Sequence, residues 1–276
     1  MENIDSFYTL MGEASSLTKE AKYDEALISY DNILEKYLDT KDESIIEYLP
    51  YTFYNKALIY AHKKEYEKEL EVYNELLSRF ISNISQNSEI IFAKAYMNKA
   101  VCIQELKDEK ESLAVYKEFV QNFENCLDEK VLEDIVQAKY NIAYILGNDE
   151  QIEESIKAYD DVIESFQTSK EKHFLEFVAK SLVNKANKNK ELYEYEKAIE
   201  SLDKVINEFS IFEKQVAIAY HNKATVLAEL QNEKEMKKVC DELIQKFGNV
   251  HDEFIMNIVS SAEVLKDKDT FNKNCF

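Results

Sequence analysis

The chain has 276 residues with 54 acidic against 34 basic side chains, a formal charge of −20, and only three Gly and one Pro. Phosphate backbones are held by clustered Lys and Arg, so this balance, with Arg79 the single arginine, argues against a nucleic-acid partner. No apolar run approaches a membrane span, the N-terminus lacks a basic-then-apolar leader, and Leu, Ile, Glu, Lys and Ala dominate over helix breakers. An all-α protein in the cytoplasm is the expectation.

The chain is ruled at fixed intervals. Asn55-Lys56-Ala57 returns as Asn98-Lys99-Ala100, Asn141-Ile142-Ala143, Asn184-Lys185-Ala186 and Asn222-Lys223-Ala224. The first three steps are 43 residues and the last 38; the same steps outward land on Ala14 and Ala262. Self-similarity at such a period marks a stacked array, which grows without closing one core. One continuous domain over residues 1–276 is therefore expected.

Taken in order, each unit reads as two helices. Nine residues after each ruler Ala a second helix is predicted to open, at Tyr23, Tyr66, Glu109, Ile152, Tyr195 and Glu233. Tyr23, Ala26, Leu27, Tyr30, Ile33, Leu34 and Tyr37 keep the three-to-four spacing of one helix face, as do Tyr66, Leu70, Tyr73, Leu76, Leu77 and Phe80. An aromatic closes each such helix: Tyr37, Phe80, Phe123, Phe166, Phe209 and Phe247. The first helices are longer, over Ser88–Leu106, Val131–Leu146 and Phe174–Leu192, or roughly 25–30 Å. Pro50 falls inside the matching stretch Ser44–His62, where it should kink the helix or delay its start. Polar links join the units at Asp39–Asp42, Ser82–Asn87 and Asn125–Glu129. The link after Phe209 is expected to carry the missing five residues. A last helix over Asp252–Lys266 follows the first-helix pattern, with Phe271 opening a truncated companion. Cys102, Cys126, Cys240 and Cys275 form no C-x-x-C pair and read as reduced thiols, Cys102 and Cys240 in the core.

Tyr54-Asn55-Lys56-Ala57-x-x-Tyr60 followed by Tyr66-x-x-x-Leu70-x-x-Tyr73 resembles a tetratricopeptide repeat, and Tyr23-Asp24-Glu25-Ala26-Leu27 matches the opening of that family's second helix. The resemblance covers essentially the whole chain. It implies a right-handed α-solenoid of stacked antiparallel helix pairs, six pairs and a capping helix, with first helices lining a concave groove. The sequence departs in its 43-residue period, against about 34 in the family. It also has Ala for Gly in the first helix, and large residues (Ile33, Leu76, Phe119, Val162, Val205, Leu243) where the family has Ala.

The resemblance places Asn55, Asn98, Asn141, Asn184 and Asn222 on the groove, where an amide both donates to and accepts from a peptide backbone; support of a turn or a water network is the other reading. Around them lie Tyr51, Tyr54, Leu58, His62, Lys94, Met97, Val101, Tyr140, Tyr144, Lys180, Val183, Asn187, Ile218, His221 and Thr225, a mixed lining suited to a peptide. Lys56, Lys99, Lys185 and Lys223, with Lys94 and Lys180, either clamp carboxylates or cover apolar surface with their stems. The second helices are acid-rich, as at Glu67, Glu69, Glu71 and Glu75. No histidine stands in a metal-ligand spacing and no Gly-rich loop would hold a phosphate, so neither cofactor, metal nor catalysis is expected. The expected function is a non-catalytic scaffold or adaptor for a protein or peptide. A sensor whose superhelix changes pitch on binding a signalling peptide is the alternative, and self-association through the terminal helices stays open.

Overall fold

The computed structural model describes residues 4–84 and 88–272, with backbone alone for Asn83 and residues 268–272. Its helices are α1 (Ile4–Lys19), α2 (Tyr23–Tyr37), α3 (Glu43–Ile46), α4 (Leu49–Lys63), α5 (Tyr66–Phe80), α6 (Glu89–Glu105), α7 (Glu109–Phe123), α8 (Glu129–Asn148), α9 (Ile152–Phe166), α10 (Lys172–Glu191), α11 (Tyr195–Glu208), α12 (Glu213–Glu229), α13 (Glu233–Phe247) and α14 (Glu253–Asn272). The described residues contain no strand, and none of their helices is long and apolar enough to cross a membrane.

All six second helices open at the residues the ruler marks, and a local device explains the register. Two residues before each start, Ala21, Lys64, Lys107, Glu150, Tyr193 and Gln231 adopt the left-handed conformation, with φ between 57° and 65°. At the second turn the Lys64 N–H bonds the Ala61 carbonyl at 3.0 Å and the Glu65 N–H reaches back to the Tyr60 carbonyl at 2.9 Å. The same pair of bonds closes the turns at Lys107 and Tyr193. This is the Schellman closure, which satisfies the last carbonyls of the first helix and reverses the chain. Glycine usually occupies the left-handed position; here it never does. Capping side chains then start several helices: Asp108 accepts from the Glu111 N–H at 2.9 Å and Asn232 from the Glu235 N–H at 3.3 Å.

The chain forms two compact units, residues 1–138 and 139–276, with the boundary inside α8. Within the first, α1 pairs with α2, α4 with α5 and α6 with α7, while α2 also packs on α4 and α5 on α6. α2 and α5 are thus each held between their own first helix and the next. Within the second unit α9 pairs with α10, α10 with α11, α11 with α12, α12 with α13 and α13 with α14; α10, α12 and α14 lie side by side. The ruler alanines, from Ala14 to Ala262, are all buried, because a methyl is what lets helix backbones approach closely. Twelve residues beyond each ruler Ala lies a second buried column of Ala26, Glu69, Ser112, Ser155, Ala198 and Met236. Ser112 Oγ donates to the Ala100 carbonyl at 3.0 Å, and Ser155 Oγ to the Ala143 carbonyl at 2.7 Å. Buried aromatic pairs fill the space between helices, such as Tyr96 and Phe119 at 5.8 Å between centroids.

Three features bear on the expected layout. Pro50 has no N–H to continue a helix from Ile46, and the first helix of the second repeat is, as expected, interrupted into α3 and α4. The link after α11, at residues 209–212, is shorter than those at 81–88, 124–128 and 167–171, as expected, and relative to α8 and α10, with 20 residues each, α12 is also shorter, at 17. Finally, α14 runs on to residue 272, so no turn opens a companion helix near Phe271. The Phe271 side chain and Cys275 lie outside the described residues, as does part of the 82–87 link. Cys102 and Cys240 are free thiols in the core, as expected.

Candidate interaction surface on the first helices

Each first helix between α4 and α12 is buried on most of its circumference and leaves one stripe accessible. The residue directly after the ruler Ala is its centre: Leu58, Val101, Tyr144, Asn187 and Thr225. Val101 is 46% exposed and Tyr144 51%, large side chains held in water at the same register of α6 and α8. Lys94 is exposed on α6, whereas Met97 and Val183, expected in the lining, are buried. His221 and Thr225 of α12 join Asn257, Ser260, Ser261, Val264 and Leu265 of α14 around a cavity of about 550 Å³.

The Asn column lies at the edge of this stripe, half-buried, and several of its amides are engaged within the protein. Asn98 Nδ2 donates to the Tyr54 hydroxyl at 3.1 Å. Asn184 Nδ2 donates to Tyr140 at 2.8 Å and to Tyr159 at 3.2 Å. Asn55 bonds the Tyr30 hydroxyl, and Tyr73 is within reach of Asn98. Each of these amides therefore ties its helix to tyrosines of the preceding repeat, with Tyr30, Tyr73 and Tyr159 all standing at one register of the second helices. Burial raises the hydroxyl pKa of Tyr54 and Tyr140, and that of Tyr73 and Tyr159 further, so all four stay protonated. At the last member the pattern shifts. Val183 stands where Tyr54 and Tyr140 precede their Asn, and Asn222 Nδ2 instead donates to Asn187 Oδ1 at 2.9 Å. Asn141 is half-buried like the others.

Three members of the Lys column pair with aspartates within the protein. Lys56 pairs with Asp31 at 2.6 Å, Lys185 with Asp160 at 2.5 Å and Lys223 with Asp203 at 2.6 Å. Each pair joins a first helix to the second helix before it. With the aspartates partly exposed, such pairs add little stability and act mainly on register. Lys180 pairs with Glu176 at 2.8 Å and lies over the Phe177 ring at 5.0 Å.

Sequence reasoning missed one residue. Glu69, expected on an acid-rich exposed face, is 4% exposed. It occupies the buried column that Ser112 and Ser155 share, beside Cys102, whose thiol donates to the Tyr66 carbonyl at 3.2 Å. Burial pushes the Glu69 carboxyl up to about 7, and burial together with Glu69 pushes the Cys102 thiol up to about 12. Its register, twelve past Ala57, was the available signal. Among the described residues no group of three His, Cys, Asp or Glu is arranged to hold a metal ion.

A family profile described as tetratricopeptide repeat matches residues 50–79 and 136–168, each running from a first helix into its second. Among curated proteins none matches significantly. Solved structures do. A tetratricopeptide repeat protein from Parabacteroides merdae is 13% identical, with 98% of this chain and 97% of that one covered and a TM-score of 0.54. The apo form of RapI is 14% identical over 97% of this chain and 72% of its own, at 0.64. A signal transduction ATPase with a tetratricopeptide repeat sensor, from Pyrococcus horikoshii, is 14% identical over 96% of this chain and 40% of its own, at 0.62. At such identities the likeness is one of fold, and it agrees with the helix pairs, the turns and the two matched segments: the chain carries tetratricopeptide repeats at residues 50–79 and 136–168 and has the fold of tetratricopeptide-repeat proteins, with a sequence period of 43 residues.

Proposed function

We propose that this protein is a non-catalytic scaffold that holds a protein or peptide partner on the accessible stripe of its first helices. The observation that carries the reading is the exposure of Val101 and Tyr144 at one repeat register, where a solvent-facing apolar side chain has no role in the fold. Tyr54, Tyr140, Lys94, Lys180 and His221 flank the stripe and supply mixed aromatic and polar contacts. The Asn column contributes in a restricted way. Both Asn184 donors are spent on tyrosines, so Asn184 offers its amide oxygen to a peptide N–H, while Asn55, Asn98, Asn141 and Asn222 complete the column. The acid excess disfavours nucleic acid as the occupant.

The test is affinity capture from the source cells, followed by titration of the recovered partner against three folded variants. Val101→Glu and Tyr144→Glu should each weaken binding at least tenfold, while Glu71→Lys on the second-helix face should not. Loss with the Glu71 variant and retention with the stripe variants would put the binding surface on the second helices and end this reading.

A further inference from the structure

The break at Pro50 has a consequence beyond the stripe. Where α8 and α10 run unbroken, the α3–α4 interruption leaves a cavity of about 420 Å³ lined by Glu43, Ile46, Glu47, Pro50, Phe80, Ser88 and Phe92. Its floor is apolar: Pro50, Phe80 and Phe92 are buried residues whose surfaces end at the opening. Its rim carries two carboxylates one helical turn apart, at Glu43 and Glu47. Among the described residues Glu43 is exposed and takes part in no ion pair, and residues 39–47 carry four acidic side chains against one basic in the sequence.

An apolar slot ending in carboxylates is complementary to one kind of side chain, a long aliphatic stem carrying a cation. We propose that this notch is a docking site for a lysine or arginine side chain of a protein partner, its stem against Pro50, Phe80 and Phe92 and its head between Glu43 and Glu47. Arginine fits best, because its planar fork meets carboxylates with paired hydrogen bonds and it is weakly hydrated. The volume lies within the range of small-molecule pockets, about 300–1,000 Å³, and exceeds what one such side chain needs. The long stem is the portion that gains from leaving water. A carboxylate or phosphate ligand would be repelled at the rim. The proposal does not depend on the first-helix stripe, which lies elsewhere on α4 and α6.

The experiment uses n-hexylguanidinium as probe, with hexan-1-ol as the stem alone and guanidinium as the head alone, followed by NMR of ring-labelled phenylalanine in the full chain. Hexylguanidinium should give saturable shifts at Phe80 and Phe92 and bind at least tenfold more tightly than either fragment. Glu43→Gln with Glu47→Gln, both at the rim, should weaken it at least tenfold with the helical spectrum unchanged. Ile46→Trp, which fills the opening, should abolish the shifts; Val101→Glu should not alter them. Equal binding of hexan-1-ol, an unaffected double Gln variant, or no saturable shift at the two phenylalanines would each overturn the assignment.

Discussion

Replacing Glu69 with Gln should stabilise this protein, and by an amount that depends on pH. The carboxyl is 4% exposed, faces no cation, and sits against Cys102, Tyr66 and Tyr73. In the folded chain it titrates at about 7 against an ordinary 4.5, because burial penalises the charged form. The folded state therefore keeps its proton to higher pH than the unfolded state, so stability is fullest below the unfolded value, falls as pH rises from 4.5 toward 7, and is flat above. At about 1.36 kcal/mol per unit, the full loss is about 3 kcal/mol. Gln keeps the shape and cannot ionise. Urea unfolding of wild type and Glu69→Gln should differ by about 1 kcal/mol at pH 5 and about 3 kcal/mol at pH 8.5 in favour of the variant. A difference independent of pH, or a variant less stable at pH 8.5, would refute the claim that ionisation of this buried carboxyl is what costs the fold. Glu69→Ser offers a second check, since Ser112 and Ser155 close the same position on a ruler carbonyl.

The left-handed turn residues make a similar case: Lys107→Gly should raise stability by about 1 kcal/mol, because an L-residue there is strained by roughly 1–2 kcal/mol, and a lowered urea midpoint would refute it. Asn189 is 1% exposed with its Nδ2 lacking a partner among the described residues, at the register of Leu146 and Leu227. Asn189→Leu should stabilise by about 1–3 kcal/mol, and destabilisation would mean the amide is satisfied in solution. Ala100 is 0% exposed, so Ala100→Leu should cost about 1–3 kcal/mol through overpacking; thermal melting at unchanged midpoint would contradict the close helix crossing. Asn184→Ala removes two hydrogen bonds and should lose about 1–3 kcal/mol without any partner present; no loss would leave the column free for ligand contact alone.

The all-α class, the repeat and the opening residue of every second helix were legible along the chain, because these follow from local causes. Apolar spacing selects the helix face, and the turn between helices recurs at a fixed distance from each ruler Ala even without glycine. The effect of Pro50 was local too, since a residue without an N–H fits only the first turn of a helix, where Pro50 stands in α4. Only the tertiary structure decided what the repeated polar columns do. Asn98 and Asn184 meet tyrosines one repeat back, and Lys56, Lys185 and Lys223 meet aspartates of the preceding second helix. Neither partner lies on the same helix, so spacing within one helix could not name it. Glu69 shows the same limit from the other side: its neighbours Glu67 and Glu71 are exposed, and its burial comes from α6 packing over α5 at Cys102. Helix periodicity says which residues share a face, but which faces are covered, and by what chemistry, is settled by the helices that pack across them.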